Sequence, residues 1–146
     1  MATNSLSQLD WDQRFLNLAD HISTWSRDPS TKVGSVIVNA KRHILAVGYN
    51  GFPRGVRDSA SRYADKSTKY KFVSHAERNA LDNAHLDVEG CTLYASLFPC
   101  NECAKSIIQR GIRRVVTRRP TEQKPEMNWD ITDKMFKEAG VSLIQI

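Results

Sequence analysis

Apolar residues recur along the chain with two different spacings, and these spacings predict its helices and strands. Residues 8–25 repeat apolar side chains every three or four positions, which is typical of an amphipathic helix. Residues 33–39 and 43–50 are short, rich in β-branched residues and closely spaced, which indicates two strands of a hairpin. Pro29 and small polar residues separate the helix from the hairpin.

The remainder of the chain alternates helical and strand patterns. We predict helices at 75–86, 100–110 and 129–139, the last ended by Gly140, and strands at 91–96, 113–117 and 141–146. Such alternation is typical of a sheet with crossover helices on its faces. Because no repeat or linker interrupts the pattern, we expect residues 1–146 to form a single domain of the α/β class.

Residues 51–71, between the hairpin and the next helix, lose apolar periodicity and gain charge, glycine and proline. We predict a loop here. A loop of about twenty residues is uncommon in a compact domain unless it lines or covers a site. Residues 54–71 hold six basic and two acidic side chains, so this segment is locally positive.

Composition narrows the class of protein. The net charge of +5 favours anionic partners, with phosphates first among them. No apolar run approaches the roughly 20 residues of a membrane span, so no membrane partner is expected. Three cysteines, without a secretory leader pattern, favour a reducing compartment, and we expect a cytoplasmic protein whose cysteines serve metal or redox chemistry.

The segment "HAERNALDNA" places His75 and Glu77 two positions apart before a helical stretch. Ser74 and Glu77 match a capping box, in which both side chains satisfy free amides at a helix start. Residues two apart do not face each other on the side of a helix. His75 and Glu77 can therefore share a site only where the helix start points at it.

Cys100 and Cys103 lie at the start of a later helix, directly after a strand and Pro99. The free amides and positive dipole end of a helix start favour thiolates. Thiolates at this spacing suit zinc, whereas a thioredoxin-type redox pair is the competing interpretation.

Taken together, one histidine and two cysteines provide three ligands, the number of a catalytic zinc with one position open to water. A closed structural site would need a fourth ligand, for which the candidates are Cys91, His85, His43 and His21. Glu77 beside zinc-bound water could carry a proton. The pattern H-x-E followed by P-C-x-x-C is the signature of zinc nucleobase deaminases.

Four longer segments resemble the deoxycytidylate (dCMP) deaminases of the cytidine deaminase superfamily: "RDPSTKVGSVIV", "GYNGFPRGV", "KYKFVSHAERNAL" and "LFPCNECAKSIIQRGIRRVV". With their spacing they cover roughly residues 26–117. The resemblance implies a three-layer α/β/α sandwich with a mixed five-stranded sheet. It also implies zinc-dependent hydrolysis of dCMP to dUMP and ammonia, a hexamer, activation by dCTP with Mg²⁺ and inhibition by dTTP.

The same resemblance assigns roles to individual positions. Zinc would be held by His75, Cys100 and Cys103. Glu77 would move protons to N3 and the departing amine, the backbone amide of Ala76 would meet the cytosine carbonyl, and Asn50 would reach the sugar or base. Two segments resemble an effector-binding region, and their candidate residues are Arg27, Lys32, Gly51 and Arg54.

After residue 117 the chain departs from the family pattern, which leaves open the residues that bind the 5′-phosphate and the completeness of effector control. Three alternatives stay open: a deaminase of another cytosine nucleotide such as dCTP, a deaminase of polynucleotide, and a non-catalytic zinc-binding module. Nucleic acid is not the expected partner, because the basic segment carries few of the aromatic side chains that bind single strands.

Overall fold

The core of the fold is a mixed sheet of five strands in the order β2-β1-β3-β4-β5. In this computed structural model, which describes residues 5–146, the strands are β1 (Gly34–Val38), β2 (Ile44–Tyr49), β3 (Thr92–Ala95), β4 (Arg114–Thr117) and β5 (Ser142–Gln145). β1 runs antiparallel to β2 and β3, whereas β3, β4 and β5 are parallel. The predicted mixed five-stranded sheet is confirmed.

Helices cover both faces of the sheet. They are α1 (Gln8–Ser23), α2 (Ala60–Ala64), α3 (Lys66–Phe72), α4 (Ala76–Asn83), α5 (Asn101–Gln109) and α6 (Trp129–Ala139), with a single 3₁₀ turn at Pro125–Met127. Apolar residues of α1 pack on one face, and those of α4, α5 and α6 pack on the other. The three-layer arrangement is therefore confirmed, and Gly140 ends α6 in the left-handed conformation. Among residues 5–146, no helix has the length and apolar character to cross a membrane.

The prediction of a loop at 51–71 is wrong, because this segment contains α2 and α3. These helices have five and seven residues, too few to show a helical repeat of apolar positions. An aromatic cluster fixes the segment instead: the ring centroid of Phe52 lies 4.4 Å from that of Tyr63 and 5.5 Å from that of Phe72. The segment is thus held in place by packing and is not an irregular loop.

A glycine in β2 allows α4 to lie directly against the sheet. A Cβ atom at Gly48 would clash with the backbone of Ala76 and Ala80, so only glycine fits this contact. Ser35 pairs with Gly48 on one side and with Ala95 on the other. The start of α4 therefore lies at the end of the sheet where β3 finishes and α5 begins.

Candidate active site

Three metal-ligating side chains converge where α4 and α5 begin. The Nδ1 atom of His75 lies 3.4 Å from Sγ of Cys100 and 3.3 Å from Sγ of Cys103. His75 and Cys100 are the residues immediately before α4 and α5, and Cys103 lies in the first turn of α5. Both helices begin at the same end of the sheet. Their packing therefore brings together residues that are far apart in sequence.

The donor atoms fit a zinc ion. With Zn–S bonds of about 2.3 Å and Zn–N bonds of about 2.0–2.1 Å, tetrahedral coordination separates the ligand atoms by roughly 3.5 Å. The three donor atoms lie within 4.8 Å of one another, and among residues 5–146 no fourth His, Cys or carboxylate joins them. A site with three protein ligands leaves one position for water or substrate.

The other candidate ligands lie elsewhere. Cys91 is buried in the apolar core between the sheet and α4–α6, as expected of a core cysteine. His21, His43 and His85 are exposed and lie outside the cluster. The alternative of a four-ligand structural site built from these residues is therefore wrong.

Both thiol groups lie within hydrogen-bonding distance of the imidazole of His75. Hydrogen bonding from the Cys103 thiol lowers the pKa of Cys100 to about 4, and contact with His75 adds to this effect. The backbone amide of Cys103 also donates to Sγ of Cys100. Hydrogen bonding to Cys100 raises the pKa of His75 despite its burial. A thiolate is thus favoured at Cys100, whereas hydrogen bonding to Cys100 and burial raise the pKa of Cys103.

Glu77 is buried in the first turn of α4, with only 3% of its surface exposed. Burial raises the pKa of its carboxyl group, and the nearby His75 only partly opposes this effect. A carboxyl group whose pKa is raised by burial holds a proton more readily than an exposed one, which suits it to proton transfer.

The predicted capping box is wrong. His75, not Ser74, precedes the first residue of α4, and no side chain caps the helix start. Ser74 instead forms a short antiparallel bridge with Gly51, in which Ser74 N donates to Gly51 O at 2.8 Å and Gly51 N donates to Ser74 O at 3.1 Å. This bridge holds Ser74 extended, so the helix begins one residue after the position that the box requires. Glu77 is therefore free of a capping role.

A cavity of about 320 Å³ has His75, Ala76 and Glu77 in its lining. Its volume lies within the range of small-molecule sites, about 300–1,000 Å³. Ala76 is the first residue of α4, where backbone N–H groups lack partners within the helix. The cavity thus offers a hydrogen-bond donor beside the buried carboxyl group.

Asn50 also lines the cavity, and its side chain is fixed by the backbone around it. Its Oδ1 atom accepts from the amide of Val33 at 2.8 Å, and its Nδ2 group donates to the carbonyl of Thr31 at 2.9 Å. Asn50 is 94% buried, since only 6% of its surface is exposed. Asn50 therefore connects the loop before β1 to the end of β2 through these hydrogen bonds, and it also lines the cavity.

Sequence reasoning missed the ion pair of Asp28 and Lys69, both of which line the cavity. The ammonium group of Lys69 lies 2.8 Å from Oδ2 of Asp28. Burial alone would raise the pKa of Asp28, but hydrogen bonds from Lys69 and from the amides of Ser30 and Thr31 outweigh it and lower the pKa. The segment "RDPST" signals only the backbone contacts of Asp28, because an aspartate before proline is suited to accept from the following amides.

The candidate effector residues lie apart from the cavity lining. Arg27 pairs with Asp58 at 3.5 Å, and Lys32 donates to the carbonyl of Ser26. Gly51 belongs to the bridge with Ser74, and Arg54 is exposed. An effector role for these four residues remains a prediction.

A three-layer α/β/α fold with a His-Cys-Cys cluster and a buried glutamate at converging helix starts is the arrangement typical of zinc-dependent nucleobase deaminases. Residues 9–118 match the model of the cytidine and deoxycytidylate deaminase zinc-binding region, and the chain belongs to this family.

Individual proteins that are similar to this chain are also deaminases. The chain is 42% identical over 137 residues to an uncharacterised deaminase of Aliivibrio fischeri, a match that covers 91% of each chain. It is 46% identical over 114 residues to human deoxycytidylate deaminase, a match that covers 74% of this chain and 64% of the human protein. The structure of the cyanophage S-TIM5 dCMP deaminase in complex with dCMP and dUMP has a TM-score of 0.77 and 25% identity over 97% of this chain and 100% of that chain.

Proposed function

We propose that the protein catalyses zinc-dependent hydrolytic deamination of dCMP to dUMP with release of ammonia. One observation carries the proposal: His75, Cys100 and Cys103 converge beside buried Glu77, and His75 and Glu77 line the same cavity. The relatives named deoxycytidylate deaminase support dCMP as the substrate. So does the S-TIM5 enzyme, whose structure holds dCMP and dUMP.

His75, Cys100 and Cys103 would hold the zinc ion. Zinc at such a site lowers the pKa of a bound water to about 7 and so supplies a nucleophile at neutral pH. Glu77 accepts the proton of the attacking water and delivers protons to N3 of the base and to the departing amine. One water is consumed, the C4–N bond breaks, and ammonia leaves.

Two further groups would orient the substrate. The backbone N–H of Ala76 donates to the cytosine carbonyl, because the start of α4 leaves this donor free. Asn50 contacts the sugar through the one lone pair of Oδ1 that remains after its bonds to Val33, Thr31 and Asp28. These contacts place C4 at the zinc end of the cavity.

The proposal extends to regulation and assembly on the basis of the family resemblance. It includes a cytoplasmic hexamer, activation by dCTP with Mg²⁺ and inhibition by dTTP, with Arg27, Lys32, Gly51 and Arg54 at the effector site. Each part can be tested separately, by solution mass and by rates with and without the two triphosphates.

Ammonia release from a panel of substrates tests the proposal. The purified zinc-loaded protein is incubated with dCMP, dCTP, deoxycytidine and a cytosine-containing oligonucleotide. We expect the highest kcat/KM with dCMP. Preferential turnover of dCTP or of the oligonucleotide would instead establish one of the two other deaminase activities, and no turnover at all would indicate a non-catalytic zinc-binding module.

A further inference from the structure

Three lysines line the cavity that also contains His75 and Glu77. Lys66 and Lys69 lie on α3, and Lys124 lies immediately before the 3₁₀ turn, in the segment that departs from the family pattern. α3 runs towards His75, so its first residue, Lys66, lies at the end farther from the metal cluster. Cationic side chains thus approach the cavity from two separate parts of the chain.

Lys69 has no free hydrogen-bonding capacity. Its ammonium group contacts Oδ1 and Oδ2 of Asp28 at 3.0 and 2.8 Å and Oγ of Ser30 at 2.9 Å. An ammonium group has three donors, and these three acceptors engage them all. Its charge is also balanced by a buried carboxylate. Lys69 therefore stabilises the lining of the cavity through Asp28 and Ser30, and it has no donor left for a further anion.

Lys66 and Lys124 differ from Lys69 in this respect. Within residues 5–146, neither ammonium group has a carboxylate partner or a hydrogen bond. Lys66 is exposed beside Tyr70, with its ammonium nitrogen 6.0 Å from the ring centroid, and Lys124 is half-buried. Both cations are therefore available to an anion bound in the cavity.

Building on the proposed deaminase function, we propose that Lys66 and Lys124 bind the 5′-phosphate of the substrate and select a nucleoside monophosphate. A base directed at His75 and Glu77 leaves the 5′ substituent among the other residues of the lining, where Lys66 and Lys124 are the two lysines whose ammonium groups are not already engaged. Two lysines match the charge of a phosphate monoester, which is about −1.5 to −2 at pH 7. Glu126, which also lines the cavity, opposes the binding of the additional charge of a triphosphate.

The test compares substrates with and without the phosphate. We measure kcat/KM for dCMP and deoxycytidine with the wild type, Lys66→Ala, Lys124→Ala and the double variant. Lys134→Ala is the control, because Lys134 is exposed on α6 and lies outside this cavity. Each cavity variant should lose on the order of tenfold in kcat/KM for dCMP, as expected for one charge-assisted contact. Rates with deoxycytidine should not change, and the control should retain the wild-type preference for dCMP.

Binding of products separates this inference from the proposed function. Calorimetry with dUMP and deoxyuridine requires no turnover, so it remains decisive if the wild type deaminates neither substrate. We expect the double variant to lose its preference for dUMP over deoxyuridine. An unchanged preference, or an equal loss in Lys134→Ala, would overturn the assignment of Lys66 and Lys124 as the phosphate ligands.

Discussion

The Nδ1 atom of His75 lies 3.3 Å from Sγ of Cys103, although 28 residues separate them in the chain. Each residue belongs to the start of a different helix, and both helices pack on the same face of the sheet. The packing that fixes α4 and α5 therefore also fixes the spacing of the ligands. The donor atoms are thus spaced roughly as tetrahedral zinc coordination requires.

Replacing Cys100 tests the ligand set. The Cys100→Ser variant should bind zinc substantially more weakly and lose activity, because one thiolate donor is removed from a site with three protein ligands. Zinc per chain after dialysis, measured by elemental analysis, gives the result. Cys91→Ala is the control, since Cys91 lies in the core and outside the cluster. Wild-type zinc content in Cys100→Ser would rule out this cysteine as a ligand.

Replacing Glu77 separates proton transfer from metal binding. Glu77→Gln keeps the shape of the side chain but cannot carry a proton, so kcat should fall by about 10²–10⁴-fold. Zinc content and thermal stability should remain near wild type. Glu102→Gln is the matched control, because Glu102 is also in the first turn of its helix but is exposed and paired with Lys105. Substantial residual turnover in Glu77→Gln would contradict the proton-carrier role.

Replacing Gly48 tests the close contact between α4 and the sheet. A Cβ atom at Gly48 would clash with the backbone of α4, and overpacking of this kind costs about 1–3 kcal/mol or more. Gly48→Ala should lower the free energy of unfolding and weaken zinc binding, because α4 also carries His75. Gly51→Ala is the control: its Cβ would meet nothing closer than the Tyr63 hydroxyl at 4.0 Å. Equal denaturation midpoints for the two variants would contradict this packing argument.

The ion pair of Asp12 and Arg114 predicts how stability varies with pH. Burial alone would raise the pKa of Asp12, but hydrogen bonds from Arg114 and Tyr94 outweigh it and hold the pKa below its ordinary value of 3.8. A lowered folded-state pKa gives stability that is complete above the unfolded-state pKa and is lost as pH falls through the folded-state pKa. Asp12→Asn should therefore be less stable than wild type at pH 7 by about 2 kcal/mol or more. The difference should shrink below about pH 4.

Asp20→Asn is the control for this measurement, because Asp20 pairs with Arg118 at a partly exposed position. Exposed pairs contribute only about 0–1 kcal/mol. Urea denaturation at several pH values gives the free energies. A constant difference between wild type and Asp12→Asn from pH 7 to pH 3 would show that the charge of Asp12 is not its source.

Much of the site could be predicted because its signals are local. His75 and Glu77, and likewise Cys100 and Cys103, are close in sequence at recognisable helix starts. The alternation after residue 90 likewise predicts the parallel part of the sheet. These signals predict the same kind of site, because three zinc donors and a nearby carboxylate are the groups that a zinc-dependent deaminase uses.

The remainder depends on contacts between distant segments. Asp28 and Lys69 are 41 residues apart, and nothing in either segment alone indicates that they pair. α2 and α3 are stabilised by aromatic stacking on Phe52, which a helical repeat does not reveal. The start of α4 is set by the bridge of Ser74 with Gly51, which overrides the capping box. Tertiary packing decides each of these features.

Metal reconstitution tests the central claim most directly. The protein is stripped of metal with a chelator and reloaded stepwise with zinc, and the formation of dUMP and ammonia from dCMP is measured at each step. We predict that activity is absent from the stripped protein, rises in proportion to bound zinc and saturates at about one ion per chain, as a site with three protein ligands requires. Full activity in the stripped protein, or no dUMP at any zinc content, would contradict the account.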